Sequence, residues 1–321
     1  MKKIEINKKT KDSIFIYGLL LWPILHFFLF WVGMNARTAV DSFFTVNYSG
    51  GIHYVPAGFK NYMEVFQIIF GRKNADCTSI VNYKAVLNSL SLIPVAVFIN
   101  MPITILFAYG IFKKIVGYRA FRIILFLPAI ISSVVLCLCF KLAIDPNKGI
   151  IVNFLRIIGL GGDGTAGNQG IIPVGGWLGN NDTKWNSILV FSVFSGVSGN
   201  LIYFTSTMAR LPSSVFESAE LDGASKVKQL FSIVVPMIWP TITTMTVTLV
   251  AAVFGWLMPS LLLTGEDGMT TTIGLMITQT VKADKSNTVM SAFGVVVAIL
   301  GTIIILTVKT LLEKCFEGVE Y

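Results

Sequence analysis

The chain has 321 residues, 54% of them hydrophobic and 13% charged, with 25 Lys and Arg against 17 Asp and Glu for a formal net charge of +8. A soluble globular chain carries roughly a quarter charged residues, so this composition excludes an ordinary cytosolic domain and a disordered chain, and points to lipid as the solvent. The length accommodates six membrane-spanning helices with short connections.

In chain order, a basic leader (Lys2, Lys3, Lys8, Lys9, Lys11) precedes an apolar run at 13–36. The run is longer than the ~7–15 residues of a signal-peptide core and ends in Gly33, Met34, Asn35, Ala36 and Arg37, so a retained anchor is expected. His26 lies mid-run, where a hydrogen bond to a neighbouring helix is expected, and His53 falls in an outer loop. Further spans are expected at about 86–111, 121–142, 185–209, 239–263 and 287–309, each near the ~20 residues that cross the hydrocarbon core. Such runs read as helices, because a chain in lipid must satisfy its own backbone. Lys113, Lys114, Arg119 and Arg122 crowd the second link, so that link, the leader and the C-terminus should be cytoplasmic. The connections at 37–84, 143–184 and 264–285 then lie outside.

The chain reads as a single transmembrane domain over 1–321, and its charge as topology rather than a nucleic-acid-binding face. Cys137 and Cys139 sit inside span 3, Cys77 in an outer loop and Cys315 in the inner tail, which gives no disulfide framework. With two histidines, no metal site is expected. Gly162, Gly164 and Gly167 form a GxGxxG string in a glycine-rich outer loop at 159–179, with neither the strand nor the helix of a dinucleotide site, so a flexible loop is expected.

The dipeptide Gly-Lys occurs nowhere, so the chain has no P-loop and any ATP-driven activity must use another polypeptide. The cores of the spans hold no Asp, Glu, Lys or Arg, which argues against a proton-coupled carrier, a channel and an intramembrane hydrolase. They do carry uncharged polar groups, read either as helix-packing hydroxyls and amides or as a passage for a polar solute. Asn88, Asn200, Tyr203 and Trp256 are the candidates for that passage.

The cytoplasmic segment 210–236 is the most informative. Ser214 and Glu217 have capping-box spacing, Gly223 supplies a left-handed turn, and Ser225 to Val234 suits a second short helix. The apolar faces of this helix–turn–helix call for a partner groove rather than a lipid surface. Glu217, Ala219, Asp222, Gly223, Ala224, Ile233, Pro236 and Pro240 resemble the EAA loop of the inner-membrane subunits of binding-protein-dependent ABC importers. Ser218 replaces the usual middle alanine and Leu230 a common aromatic. Beyond that loop the chain is similar to the carbohydrate-uptake branch, the maltose and glycerol-phosphate type. The likeness runs through Gly58 to Tyr62, Asn88 to Leu90, Tyr118 to Pro128, Asp145 to Gly149 and Trp177 to Gly179.

The resemblance implies an all-α inner-membrane protein of a prokaryote, with six spans and a coupling helix at about Ser214 to Ala224. It implies a second, similar permease, two ATPase subunits that carry ATP and magnesium, and an extracytoplasmic solute-binding protein, while this chain binds no cofactor and is not itself an enzyme. Glu217, Ala219, Asp222, Gly223, Ala224 and Pro236 would then form the ATPase-coupling loop, with Glu217 and Asp222 making charge-assisted contacts with the ATPase and Gly223 the turn. A permease for a non-carbohydrate solute and a self-sufficient carrier stand as the alternatives.

Overall fold

The computed structural model describes residues 8–47, 53–69, 78–161, 170–173, 175–265, 267–282 and 287–315. Lys2, Lys3, Cys77, the GxGxxG glycines and the last six residues lie outside them, as does the side chain of Cys315. By its contacts the chain divides into two units, residues 1–67 with 280–298 and residues 68–279 with 299–321.

The first unit opens with α1 (Lys8–His26), which passes through a π-helical turn at Phe27–Val32 into α2 (Gly33–Asp41). Together they give an unbroken apolar helix from Phe15 to Asp41. His26 stacks on Phe30 of its own helix with ring centroids 4.8 Å apart. The expected interhelical hydrogen bond is not formed among the described residues, because this face of α1 is exposed. A short antiparallel hairpin follows, β1 (Phe44–Asn47) and β2 (His53–Pro56), paired from Phe44 with Pro56 to Asn47 with His53. It leads into α3 (Lys60–Ile69). The buried Asn61 amide ties that helix back by donating to the carbonyls of Ser42 (2.8 Å) and Phe44 (2.7 Å), and the Ser42 and Tyr62 hydroxyls meet at 2.7 Å.

The second unit begins with α4 (Thr78–Pro94), continued by a π-helical turn at Val95–Asn100 and α5 (Met101–Phe112). The turn starts at Pro94, whose missing N–H interrupts the ladder. Then come α6 (Tyr118–Ile130), α7 (Ser133–Ala143), α8 (Ile150–Ile157), α9 (Lys184–Met208) and α10 (Ser213–Leu221). Next are α11 (Lys226–Gln229), a π-helical turn at Leu230–Val234 and α12 (Val235–Met237), then α13 (Trp239–Val253), α14 (Met258–Thr264) and α15 (Ile273–Lys282). The last helix, α16 (Asn287–Cys315), belongs to the first unit up to Ala298 and to the second beyond it.

Four helices are long and apolar enough to cross a membrane: Phe15–Asp41, Tyr83–Phe112, Lys184–Met208 and Thr288–Lys314. Two bent pairs bring the number to six if each pair is one span. The run expected as a single span at 121–142 is two helices, α6 and α7, at 111° to each other. Ile131 (ψ 140°) and Ser132 (ψ 138°) take extended backbone there, just after Pro128 has already removed one ladder donor. The run expected at 239–263 also breaks. Its helix α13 stops at Val253, Phe254 to Leu257 interrupt it at Gly255, and α14 restarts with Pro259 in its first turn. At its other end α13 bends by 71° from the helix that runs from Lys226 to Met237.

The core of this unit lies where α5 crosses α9, with Met101, Ile105, Leu201, Phe204 and Met208 packed against Leu230, Val234, Ile238 and Ile242. Gly196 makes the crossing possible. A Cβ there would sit 1.9 Å from the amide nitrogen of the buried Asn100, so the glycine leaves the space that the Asn100 side chain occupies at the crossing. The turn Asp145 to Gly149 is equally specific. Asp145 Oδ1 accepts the N–H groups of Asn147 and Lys148, both at 2.9 Å, and a Cβ on Gly149 would lie 2.5 Å from the Ala143 carbonyl oxygen.

Candidate functional site

The helix–turn–helix at 210–236 is built from a short helix that would be marginal alone. Its start differs from expectation. Pro212 is the extended residue before α10, so the helix begins at Ser213, and no side-chain cap forms between Ser214 and Glu217. Ser214 lies in the first turn, and its carbonyl accepts the Ser218 hydroxyl at 2.9 Å. The end follows the expected chemistry. Gly223 has φ +75°, its N–H reaches the Glu220 carbonyl (3.1 Å), and the Ala224 N–H reaches the Ala219 carbonyl (2.9 Å). These two bonds form a Schellman cap, and they explain the Ala-x-x-Asp-Gly-Ala spacing as backbone geometry. The Ser225 hydroxyl then accepts the Lys228 N–H at 3.3 Å and starts α11.

One face of α10 is fixed to the C-terminal end of α5. The Phe216 ring is buried, lies 5.2 Å from the Phe112 ring, and carries the Lys113 ammonium 4.7 Å from its centroid. Lys113 also pairs with Glu220 at 3.2 Å, and the Tyr109 hydroxyl donates to the Lys226 carbonyl at 2.9 Å. Gln229 is 1% exposed and donates to the Ala224 carbonyl at 3.0 Å, which clamps the turn. Ala219 is buried, whereas Ser218 faces outward, so the serine at this usually small position disturbs no packing. The opposite face is open: Leu221 is 90% exposed, Val227 65% and Phe231 63%. Glu217 and Asp222 lie on this face, and neither carboxylate has a hydrogen-bond or ion-pair partner among the described residues. Pro236 sits half-buried in α12, beside the 71° bend.

Three of the four passage candidates remain on open or unsatisfied positions. Asn200 and the exposed Tyr203 share one face of α9, in line with Thr207, whose hydroxyl meets that of Thr241 on α13 at 3.3 Å. Thr241, Thr244 and Thr248 continue the polar stripe along α13, and the hydroxyls of Thr244 and Thr248 are bonded to the preceding turn at 2.8 Å. Trp256, in the break after α13, has a buried indole N–H with no partner among the described residues. Asn88 is elsewhere. Its amide donates to the carbonyls of Met269 (3.0 Å) and Thr271 (2.9 Å), so it fastens α4 to the connection before α15.

That connection holds a feature the sequence reading missed. The Lys184 ammonium, at the first residue of α9 and almost fully buried, pairs with Asp267. Burial raises the Asp267 carboxyl, but the Lys184 hydrogen bond, the Met269 N–H and the Lys184 and Lys84 charges outweigh it, holding the group below the usual carboxylate range. Ser260 donates to the Thr270 carbonyl (2.8 Å), and Ser89 accepts the Ile273 N–H (2.9 Å), completing the anchorage. Asp267→Asn should cost about 1–3 kcal/mol by leaving the buried ammonium without its counter-charge, while Lys184→Met with Asp267→Leu should recover most of it; thermal melts in detergent measure both. Because the folded carboxyl is the more acidic, this contribution is present above the ordinary Asp value of about 3.9 and fades as pH falls through the lower folded one.

Among the described residues, no three His, Cys, Asp or Glu side chains stand together to hold a metal ion. Residues 87–317 match the model of the family described as the binding-protein-dependent transport system inner membrane component. The chain is 27% identical over 221 residues to the probable ABC transporter permease protein YurN of Bacillus subtilis, covering 68% of each chain. It is 24% identical over 170 residues to the arabinooligosaccharides transport system permease protein AraP of the same organism, covering 52% of this chain and about half (51%) of that relative. Its fold matches a chain of a bacterial alginate ABC transporter, crystallised with an alginate pentasaccharide-bound periplasmic protein, at TM-score 0.75 and 20% identity, over 97% of this chain and 99% of the other. The family model spans both helices of the helix–turn–helix and the spans that hold it, and the chain belongs to the binding-protein-dependent transport system inner membrane component family.

Proposed function

We propose that this chain is the permease subunit of an ABC importer for a sugar or sugar-like solute, working with a second permease, two ATPase subunits and an extracytoplasmic binding protein. The observation that carries this reading is the open face of α10 and α11: Leu221, Val227 and Phe231 beside two unpaired carboxylates, on a helix rigidly seated in the core of the spans. Such a face suits a groove on an ATPase, with Glu217 and Asp222 making charge-assisted contacts. Movement there would pass through Phe216 to α5 and through the 71° bend at Pro236 to α13. ATP and magnesium would sit on the ATPases, and this chain would bind no cofactor.

In this reading each bent pair is one span, giving six. Lys113 and Lys114 stand at the same end of α5 as the α10 helix, and the positive-inside rule supports placing that end, and both termini, in the cytoplasm. Asn200, Tyr203, the threonine stripe of α13 and Trp256 supply hydroxyl, amide and indole groups, which suit a neutral polyhydroxylated solute better than an ion. The carbohydrate assignment draws on the relatives' arabinooligosaccharide and alginate systems.

Purification of the chain from its native membrane in mild detergent tests the assembly. A P-loop ATPase, a second membrane chain and a secreted binding protein should copurify, and that protein should bind an oligosaccharide. A binding protein selective for phosphate or an amino acid would move the solute to another class. A chain that emerges alone, where a reference importer stays assembled, would overturn the reading.

A further inference from the structure

Between α7, α8 and α9 lies a cavity of about 560 Å³, within the roughly 300–1,000 Å³ of small-molecule sites. Its walls are Phe140 and Ile144 of α7, Ile151 and Leu155 of α8, Trp177, and Val190 of α9. Of the polar groups at its edge, the Thr183 hydroxyl is bonded to the Trp177 carbonyl (2.8 Å) and the Ser187 hydroxyl to the Thr183 carbonyl (3.0 Å), while the lining Asn186 amide has no partner among the described residues. A sugar would find few hydrogen-bond partners here, and water is poorly held by so apolar a wall. The cavity is therefore separate in chemistry from the solute passage proposed above.

Its surroundings indicate what fills it. On α8, Ile150, Phe154 and Ile157 are exposed at helical spacing, on the same helix as the wall residues Ile151 and Leu155. On α7, Val135, Leu138 and Leu142 form a second exposed aliphatic stripe. Surfaces that pack against another membrane protein are enriched in small and polar residues, whereas these carry branched aliphatics, the chemistry of a lipid-facing side. The end of α7 and the turn into α8 add cations. Lys141 and Lys148 are exposed, and Arg156 braces the turn by donating to the Pro146 carbonyl at 2.9 Å. Asp145 Oδ1 accepts the turn's own N–H groups and its charge lies near Lys148, and Asp182 precedes the lining residue Thr183, so Lys141 is the cation with no acidic neighbour in its own helix.

We infer that this cavity is a binding site for an anionic phospholipid: one acyl chain enters between Phe140, Leu155 and Val190, α8 lies in the membrane interface on its Ile150–Phe154–Ile157 stripe, and Lys141 and Lys148 meet the phosphate. The site rests on the membrane embedding of the chain and not on which solute it moves. Each exposed lysine beside the apolar helix should add about fivefold in affinity for an anionic surface.

The test uses the full-length protein in mild detergent with phosphatidylglycerol that carries a photoreactive diazirine on one acyl chain, followed by peptide mapping of the adducts. Adducts should concentrate on α8 and the Trp177 segment relative to the exposed face of α16 at Ile299, Ile303 and Leu306. Leu155→Trp, which fills the cavity, should remove most of them, and Val190→Trp does the same from the opposite wall if the first variant fails to insert. Lys148→Gln should lower the preference for phosphatidylglycerol over phosphatidylcholine about fivefold. Labelling of α8 no greater than that of α16, or unchanged by the filling variants, would overturn the proposal. So would protection of the cavity by a protein chain in the assembled complex, which would make it a docking surface.

Discussion

Substitution of Gly223 should uncouple transport in the order Asn, Ala, Val, from least to most, without reducing the amount of protein in the membrane. At φ +75° an L side chain costs about 1–2 kcal/mol, asparagine tolerates this region best, and a β-branched residue tolerates it worst. No atom lies within 4 Å of a Cβ built at this position, so the penalty is torsional and leaves the packing of the spans untouched. It falls on the cap that ends α10, a helix of nine residues whose seating on α5 through Phe216 and Glu220 the substitution leaves in place. Solute uptake in the assembled transporter should fall about tenfold for Gly223→Val, the size expected of a penalty near ~1.4 kcal/mol on the docked state, and mildly for Gly223→Asn. Glu217→Ala is the control on mechanism. The carboxylate has no partner within the described residues, so its loss should lower uptake without changing the melting temperature. Wild-type uptake in both Gly223→Val and Glu217→Ala would remove α10 from the coupling path.

Gly196→Leu should destabilise the folded protein strongly, and Gly196→Ala should weaken it measurably. The methyl of alanine would fall 1.9 Å from the Asn100 amide nitrogen and 3.1 Å from its Cγ, and Asn100 is 4% exposed, so the amide must move within a closed crossing. Overpacking of this kind costs about 1–3 kcal/mol for a methyl group and more for a full side chain. The Thr104 hydroxyl bonds both the Asn100 carbonyl (2.8 Å) and its Oδ1 (3.2 Å), so displacing the amide also disturbs that pair. Asn100→Ala clears the space and should rescue part of the Gly196→Ala loss. A double-mutant cycle on thermal melts reads the coupling, and strictly additive effects would show that the two residues do not meet.

Charge spacing was enough to locate four continuous helices, because a long uncharged run in lipid has few structures open to it. The same spacing is blind to the bend between α6 and α7 and to the break after α13. It counts polarity, and Ile131 and Ser132 are as apolar or neutral as their helical neighbours; only Pro128, and Gly255 and Pro259 further on, carried a backbone signal. At the coupling helix the legible part was Gly223, since the left-handed turn has one cheap occupant. The start was misread because Ser214 and Glu217 have the right spacing while Pro212 takes the capping position. Asn88 shows why a polar residue in a span is ambiguous: its amide suits a solute, but it is used on two backbone carbonyls 181 and 183 residues away. The Lys184 and Asp267 pair, 83 residues apart, left no local pattern to read. A lysine directly at the start of an apolar run was its single hint.

The most direct test of the account is oligosaccharide uptake into proteoliposomes, comparing the purified chain alone with the chain reconstituted beside its copurifying permease, ATPases and loaded binding protein. The account expects uptake only in the complete assembly, only with ATP and magnesium on the ATPase side, and lost in Gly223→Val. Uptake by the chain alone without ATP would contradict it and identify a self-sufficient carrier.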